Sequence, residues 1–505
     1  MNLGDIGKKG LVPLSEARYE AIFGKIIGWL GPRRDARLLQ AIAFLRSVGQ
    51  GMALVDVGLY LKALGWSGGS IGAVLAGAGL VRTFGMLFAR EWSALLGAKR
   101  FLLLFETLTA LAALAAAVTS VPAVLALALI AAGLGSGHSG SGGPTAPIER
   151  AWLAAYARRG SQRLFHVNAL LGYLGLGAGA LLGCLPSWGI VAWQGADSFR
   201  PLFALMAFVS AISAALTLRI QGGQRKSASP ADADAGAASS APAARSPRGG
   251  LKLLALALTC VASLAVSSAL RRRGLTELSL LVPIAAFIGI VAARAVRLIL
   301  LSRAAAGAER AAEDLRHLSN VLGGVVATLT GTMTSYWFSA RFAASAGAIG
   351  AVMGASYLAA ALLSLRSAHH SRKRDTVRSV LWMQLAAVAF LLVLPWASSF
   401  WLAAGLEIGC TALNLGTRGN RTAILMEEPR RGKGSASARF YYLLVRIGAV
   451  LWPGAFGRWI EYGEYVAPFY IVAGLQSAAA LLYARVFRRS PPPGDKALDR
   501  EPSVS

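Results

Sequence analysis

Charge is scarce in this chain, and acid is scarcer. Only 15% of its 505 residues are Asp, Glu, Lys or Arg, against about 25% in a soluble protein. The 24 acids face 51 bases. Apolar residues make up 55% of the chain and the mean hydropathy is +0.55. A soluble core could not enclose this much apolar surface, so the solvent for most of the chain is a bilayer. Three cysteines exclude a disulfide framework. Cys184, Cys260 and Cys410 each sit in an apolar run and read as buried thiols. His138 has no acid or cysteine at ligand spacing, so no metal site is expected. The run GLGAGALLG lies within a long apolar segment with no strand before it, which excludes a dinucleotide loop. The run GLGSGHSGSGGPTAP, Gly133–Pro147, lacks the Lys-Ser/Thr of a phosphate loop and reads as a kinked inner end of a fourth helix. With no nucleophile–base pair, metal cluster or nucleotide loop, neither an enzyme nor a cofactor is expected.

What the chain has in abundance is apolar segments long enough to span. About 20 such residues cross roughly 30 Å of hydrocarbon. Candidates fall near 38–61, 69–90, 101–119, 122–143, 164–185 and 200–219. The Ser/Ala/Pro-rich stretch at 221–250 follows and reads as a disordered linker. Segments 251–270 and 277–297 form an extra pair within 251–303. Six more lie near 318–340, 344–365, 379–396, 399–417, 440–459 and 465–486. The expectation is an all-α polytopic membrane protein of about fourteen transmembrane helices. It has a first bundle over 38–220 and a second over 304–487, with a leader at 1–37 and a tail at 488–505. The leader shows no signal peptide. Its stretch EARYEAIFGKIIGWL is amphipathic and reads equally as a membrane-surface helix or an ordinary leader.

The positions of the bases give the orientation. With a cytoplasmic N-terminus, the inner loops carry Arg90, Lys99 and Arg100; Arg158, Arg159 and Arg163; Arg366, Arg372, Lys373, Arg374 and Arg378; and Arg421, Arg430, Arg431, Lys433 and Arg439. The outer loops of the two bundles hold only Lys62, Arg200, Arg341 and Arg458. This is the positive-inside pattern, and it accounts for the net charge of +27 without nucleic acid. Both termini are expected to be cytoplasmic in a cell (inner) membrane. Arg271, Arg272 and Arg273 break the pattern, so the middle pair either overrules it locally or does not fully cross.

The chain also repeats itself. SIGAVLAGAGL begins at Ser70 and AIGAVMGASYL at Ala348, 278 positions later. Each copy follows the end of one apolar helix and a short turn, and each runs on into a basic loop. Glu149 and Glu427 share the same offset, and SQRLF and SARFY follow them in turn. One match is easy in such a composition, but ordered matches at nearly one offset are not.

Two parallel six-helix blocks joined by a linker resemble the major facilitator superfamily of secondary transporters. The basic loop after the second helix, REWSALLGAKR, keeps Gly97, Lys99 and Arg100 of that family's loop motif, but has Ala94 where the family carries aspartate. Some branches of the superfamily carry two extra helices between the halves, as here. The resemblance implies solute bound near midplane between the halves. It also implies that Gly175, Gly179 and Gly183 of the fifth helix, and Gly350 and Gly354 of the eighth, lie where helices pack across the interface.

Ionisable groups inside spans are costly and mark candidate sites. Asp56 is a candidate proton-carrying carboxylate. Arg46 lies ten residues earlier, about 15 Å along the axis, too far to bridge to it. Glu106 is placed to pair with Arg82 or Arg100. Glu407, with Asn414 two turns on, is a further candidate acid in the second block, and Arg446 is a partner for it or for an anionic solute. Glu149 with Arg150, and Glu427 with Arg439, are candidate inner-gate pairs, read equally as hydrated surface pairs. Trp337 and Trp452 are either interfacial anchors or lining for an organic solute.

The expected function is secondary transport of a small organic solute by alternating access, with protons as a candidate coupling ion. The expected partners are the solute and the lipid bilayer. The alternatives are a non-transporting scaffold or sensor, and a membrane-embedded lipid translocase or enzyme. A polar centre containing Asp56 or Glu407 favours transport, and a sealed apolar centre favours a scaffold.

The orientation is directly testable. Single cysteines at Ser227 and Ser503, in a background without other cysteines, are expected to resist impermeant thiol reagents added to intact cells. Labelling of either from outside overturns the orientation.

Overall fold

Serine and glycine set the helix ends. The computed structural model describes residues 34–135, 143–156, 162–187, 195–221, 276–301, 333–368, 373–417 and 452–489, with a few single positions between them. Helix α1, Arg34–Ala63, stops because Gly65 takes a left-handed φ of 83°. Trp66 N–H then donates to Leu61 O and Gly65 N–H to Lys62 O, which satisfies the terminal carbonyls. Helix α2, Gly68–Leu87, opens on Ser67, whose Oγ accepts from Ser70 N–H at 3.2 Å.

The first half continues with α3, Ala89–Leu96; α4, Ala98–Val118; α5, Pro122–Ala132; α6, Ala146–Tyr156; α7, Gln162–Leu182; and α8, Arg200–Leu218. The fourth span is therefore two helices. Gly133, left-handed at φ 68°, closes α5 at Ala132, and the chain turns helical again at Ala146. The kink expected in Gly133–Pro147 is a full break. Helix α9, Thr276–Leu301, overlaps the expected span 277–297. Segments 1–33, 222–250 and 490–505, and the first middle span apart from Val266, lie outside the described residues.

The second half comprises α10, Thr334–Phe342; α11, Ala346–Ala368; α12, Lys373–Val393; α13, Phe400–Gly416; α14 over 452–461; and α15, Ala467–Arg489. Among the described residues, eight helices are long and apolar enough to cross a membrane, and α5 and α13 are shorter apolar ones. The chain is a multi-pass membrane protein. The expected count of about fourteen spans extends over residues outside those described.

Helix α1 packs on α7 and α8, α4 on α5 and α8, and α11 on α13. A continuous buried core runs through both halves, from Met52 and Tyr60 to Trp337 and Phe456. A smaller core around Leu39, Phe101 and Leu153 holds the end where α1 begins, here the near end. The opposite end, beyond Ala63, is the far end. Lys62, Arg200, Arg341 and Arg458 all belong to far-end turns. Lys99, Arg100 and Arg378 belong to the near end.

The sequence repeat is the contact between the halves. Its register extends upstream to Ser67-x-Gly-x-Ile-Gly-Ala-Val and Ser345-x-Gly-x-Ile-Gly-Ala-Val. Each residue type does the same thing twice. Ser67 and Ser345 cap α2 and α11, accepting from Ser70 and Ala348 N–H, both at 3.2 Å. Gly69 N–H donates to Glu461 Oε2 at 3.1 Å, and Gly347 N–H to Ser187 Oγ at 2.6 Å, in each case across to the other half. Ile71 and Ile349 are fully buried. A side chain on Gly72 would run into the Pro453 carbonyl and Gly454 of α14. One on Gly350 would meet the Ala180 carbonyl at 2.7 Å and Cys184 Sγ at 3.1 Å on α7. The repeat thus places α2 against α14 and α11 against α7 by the same backbone-to-backbone device.

Glycines expected at this interface divide between two seams. Gly350 and Gly354 do face α7, with Gly354 opposite Gly177 and Leu181. Gly175, Gly179 and Gly183 instead pack on α1, against Phe44, Val48 and Asp56, inside the first half. The face of α7 that meets α11 carries Gly177, one half-turn away. Close helix crossing needs small residues on both faces of α7, because it is sandwiched between α1 and α11.

Gly72→Leu is expected to open the far end. Overpacking of this kind costs about 1–3 kcal/mol, roughly a 5- to 150-fold shift toward the open form. Spin labels on Ala63→Cys and Glu464→Cys should move apart in Gly72→Leu and Gly350→Leu. Gly474→Ala, where an added methyl meets open space, should leave the distance unchanged.

Candidate functional site

Three groups of ionisable side chains are buried in the described core, and they differ in how they are paired. Asp56 is the first. It faces the seam of α1 with α7, fully buried, with its Oδ2 against Gly183 and its charge within reach of the Cys184 thiol. Neither carboxyl oxygen has a hydrogen-bond partner among the described residues. The Asp56 carboxyl is therefore dry and bare, one helix away from the α7–α11 crossing. Its repeat counterpart Thr334 is equally buried. The next residue, Ser335, donates from Oγ to Leu54 O at 3.1 Å and so ties α10 to α1.

The second group replaces two expected pairings. Arg46 Nε donates to Glu106 Oε1 at 2.7 Å, its Nη1 lies 2.6 Å from Glu149 Oε1, and Nη1 also donates to Thr145 Oγ1 at 2.7 Å. The cation for Glu106 is thus Arg46, where Arg82 or Arg100 was expected. The partner that the described residues give Glu149 is likewise Arg46, in its own half. α1 and α4 pack side by side on α8, which brings Arg46 to Glu106. The break before α6 puts Thr145 and Glu149 at the start of a new helix, facing Arg46. Arg150 is half-buried and has contacts of its own. Glu427, Arg439 and Arg446 lie outside the described residues.

The third group is in the second half. Glu407 is buried on α13, and its Oε1 accepts from Thr411 Oγ1 at 2.7 Å. Its Oε2 has no partner among the described residues. Tyr357 of α11, fully buried, lies within electrostatic reach of it. Neither Thr411 nor Tyr357 was singled out from the sequence. Thr411 one turn after Glu407 was a readable signal, whereas Tyr357 required the α11–α13 packing. Asn414 faces a different seam. Its Oδ1 accepts from Gln476 Nε2 at 2.7 Å and its Nδ2 reaches Cys410 Sγ at 3.4 Å, while Gln476 also donates to Gln384 O. This amide chain ties α13 to α12 and α15.

Trp337 and Trp452 stand in an aromatic cluster at the far end of the second half. Trp337 packs edge-on against Phe338, Phe342 and Phe469, and Trp452 packs edge-on against Trp459 and tilted against Phe456. Both are buried, Trp337 fully. Both tryptophans thus take part in aromatic packing of the second half. Around the cluster, Lys62 reaches across from α1 to Ser339 O and Oγ at 3.1 and 2.8 Å. The described halves also touch nearer the near end, where Tyr173 donates to Leu415 O at 3.2 Å.

Cys184 and Cys410 are free and buried, as expected. Among the described residues, no group of three or more His, Cys, Asp or Glu is arranged to hold a metal ion.

No family model matches the chain, and no curated protein matches it in sequence. Solved structures do match its fold. A crystal structure of a point mutant of the nucleoside transporter NupG aligns with a TM-score of 0.54 at 16% identity, covering 89% of this chain and 99% of that one. The xylose transporter XylE from E. coli, in a partially occluded inward-open conformation, aligns at 0.54 and 12% identity, covering 89% and 98%. A structure concerned with substrate recognition in proton-dependent oligopeptide transporters aligns at 0.56 and 14% identity, covering 90% and 99%. These neighbours are transporters, and what they share with this chain is the fold.

An unpartnered buried carboxyl does nothing for stability. Asp56→Leu is therefore expected to leave thermal stability in detergent unchanged or to raise it, by up to about 3 kcal/mol. The check is a melting curve read by size-exclusion chromatography. A loss of stability in Asp56→Leu would assign the carboxyl a structural partner.

Proposed function

We propose that this chain, with the fold of the major facilitator superfamily, is a secondary transporter that moves a small organic solute by alternating access. The observation that carries the reading is the doubled glycine crossing at the far end. Two halves that cross there backbone to backbone, tied by a few side-chain hydrogen bonds such as Lys62 to Ser339, can part without unpicking an extended side-chain lattice. Rocking of one half against the other then exchanges far-end closure for near-end closure. The neighbouring structures, of nucleoside, xylose and oligopeptide transporters, support polar organic solutes as the class to test. The basic residues at the near end make that end cytoplasmic, so the conformation is closed to the outside.

In this reading Asp56 is the proton carrier. It lies in α1 beside the α7–α11 crossing, so movement at the crossing changes its access to water. Its charged form is costly while dry and tolerable once wetted, which lets a proton enter from one side and leave on the other. Glu407, with Thr411 and Tyr357, offers the second half a carboxylate and two hydroxyls for the solute. Asn414 holds α13, the helix that carries Glu407 and Thr411. Arg446 is the proposed cation for Glu407 or an anionic solute. The inner gate formed by Glu427 and Arg439, with Arg150, remains part of the proposal. Glu149 enters it through Arg46.

Uptake into proteoliposomes under an imposed pH gradient tests the reading, with a panel of nucleosides, pentoses and short peptides. The parent is expected to accumulate at least one class. Asp56→Asn should lose gradient-driven accumulation at least about tenfold, the equivalent of 1.4 kcal/mol, while retaining counterflow exchange. Accumulation by Asp56→Asn equal to the parent's would move the coupling role to Glu407, to be tested by Glu407→Gln. No uptake of any solute in any gradient would favour the scaffold.

A further inference from the structure

Bases at the near end of the first half differ in what stands beside them. Arg46 has Glu106 and Glu149, Arg34 and Arg37 flank Asp35 at the start of α1, and Arg82 and Arg150 make contacts of their own. Where α4 begins and α8 ends, the three ionisable residues, Lys99, Arg100 and Arg219, are all bases. Lys99 Nζ donates to Leu218 O at 2.7 Å and to Ile220 O at 2.9 Å, and so closes the carbonyl end of α8 from another helix. Arg219 lies between those two acceptors and Arg100 follows Lys99, so the same two hydrogen bonds bring both arginines to one corner. Ile220 and Phe101, their chain neighbours, are buried in the near-end core and fix the corner from inside. Both arginine side chains are exposed, and neither joins an ion pair among the described residues. Glu91, exposed on α3, is separated from the corner by the left-handed turn at Gly97.

The depth of the corner says what meets it. Residues Ala98–Val118 and Gly195–Leu218 are both long and apolar enough to cross a membrane. Arg100 stands just inside the first of these spans and Arg219 just beyond the second, at the level where hydrocarbon gives way to headgroups. Each heads an exposed apolar face. Arg100, Leu104, Leu111 and Leu114 share one face of α4, and Arg219, Ala215, Ala211 and Phe208 share one face of α8, all of them exposed. The two helices pack on each other. The pair is therefore apolar along its outer surface and cationic at its near-end rim. Phosphate is the anion at that level, and the guanidinium fork matches two of its oxygens.

We propose that the α4–α8 corner is a binding site for an anionic phospholipid of the near-end leaflet, its headgroup phosphate held by Arg100 and Arg219 and its chains lying along the faces below them. A soluble anion would use the two arginines and nothing beneath them, whereas a phospholipid uses both. A zwitterionic lipid brings its own cation to the phosphate, so two arginines without an acid favour a headgroup of net negative charge. Lys99 is a positioning residue here. Its ammonium is taken up by the α8 carbonyls, which leaves the arginines for the ligand. The inference does not depend on transport, and its test reads bound lipid alone.

Fluorescence quenching of the full-length chain in phosphatidylcholine nanodiscs provides that test. A bimane label is placed on Leu104→Cys, in a background in which Cys184, Cys260 and Cys410 are serine. Doxyl-labelled phosphatidylglycerol should quench it at a lower mole fraction than doxyl-labelled phosphatidylcholine. Arg100→Gln and Arg219→Gln should each reduce this preference about fivefold, the worth of one base at an anionic surface, and the double variant should abolish it. Arg378→Gln, an exposed near-end base of the other half, should leave it unchanged. The comparison of lipids in the parent needs no variant, and each single variant stands by itself. Equal quenching by the two lipids overturns the proposal. So does a preference that survives in the double variant or falls equally in Arg378→Gln. Removal of the preference by millimolar glycerol phosphate added in solution would make the corner a site for soluble phosphate and overturn the lipid assignment.

Discussion

Everything in the described structure hangs on how closely two helix backbones can approach at the far end. Where α11 crosses α7 at Gly350, and α2 crosses α14 at Gly72, there is no room for a β-carbon. Packing of this kind relies on van der Waals contact and backbone donors rather than on apolar side chains, which lipid would solvate equally well. It orders the rest of the molecule. Because α7 must serve α11 on one face and α1 on the other, it is glycine-rich on both. Because α1 is held against α7, Asp56 is pressed into a seam too tight for water. The same apposition lets Lys62 and Ser335 tie α1 to α10.

The buried charges follow from this geometry in different ways. Asp56 is dry because of the crossing, and Glu407 is satisfied at one oxygen by a threonine one turn on. The Arg46 cluster is a matter of chain path. The fourth span breaks after Ala132, and the new helix begins with Thr145 and Glu149 turned toward α1. A continuous helix through 133–145 would carry Glu149 on a rigid rod whose direction its lipid-facing residues set. The break frees Glu149 to meet Arg46 and Glu106.

Much of this was legible in the chain itself. Apolar runs located the helices to within a few residues, with α1 longer than the span 38–61 by four at its start and two at its end. Glycine-rich Gly133–Pro147 announced a disturbed fourth helix, although not a full interruption. The buried state of Cys184, Cys410 and Glu407 followed from their apolar neighbours. Partners did not follow. Arg46 was weighed against Asp56 on its own helix, whereas its acids come from two helices 60 and 99 or more residues away along the chain. Nor did the aromatic neighbours of Trp337 and Trp452 follow, because a helix-end position says nothing about which neighbours close over it.

The sequence by itself determined the solvent and the doubling of the architecture, since apolar length and a repeat at one offset are properties of the chain read in order. It also contained the motif Ser-x-Gly-x-Ile-Gly-Ala-Val twice. Only the tertiary structure decided what the motif is for. A glycine reports the absence of a side chain, and the carbonyl that fills the space comes from another helix. For the same reason, only the packed structure could show that Asp56 is left without a partner while Arg46 is given two.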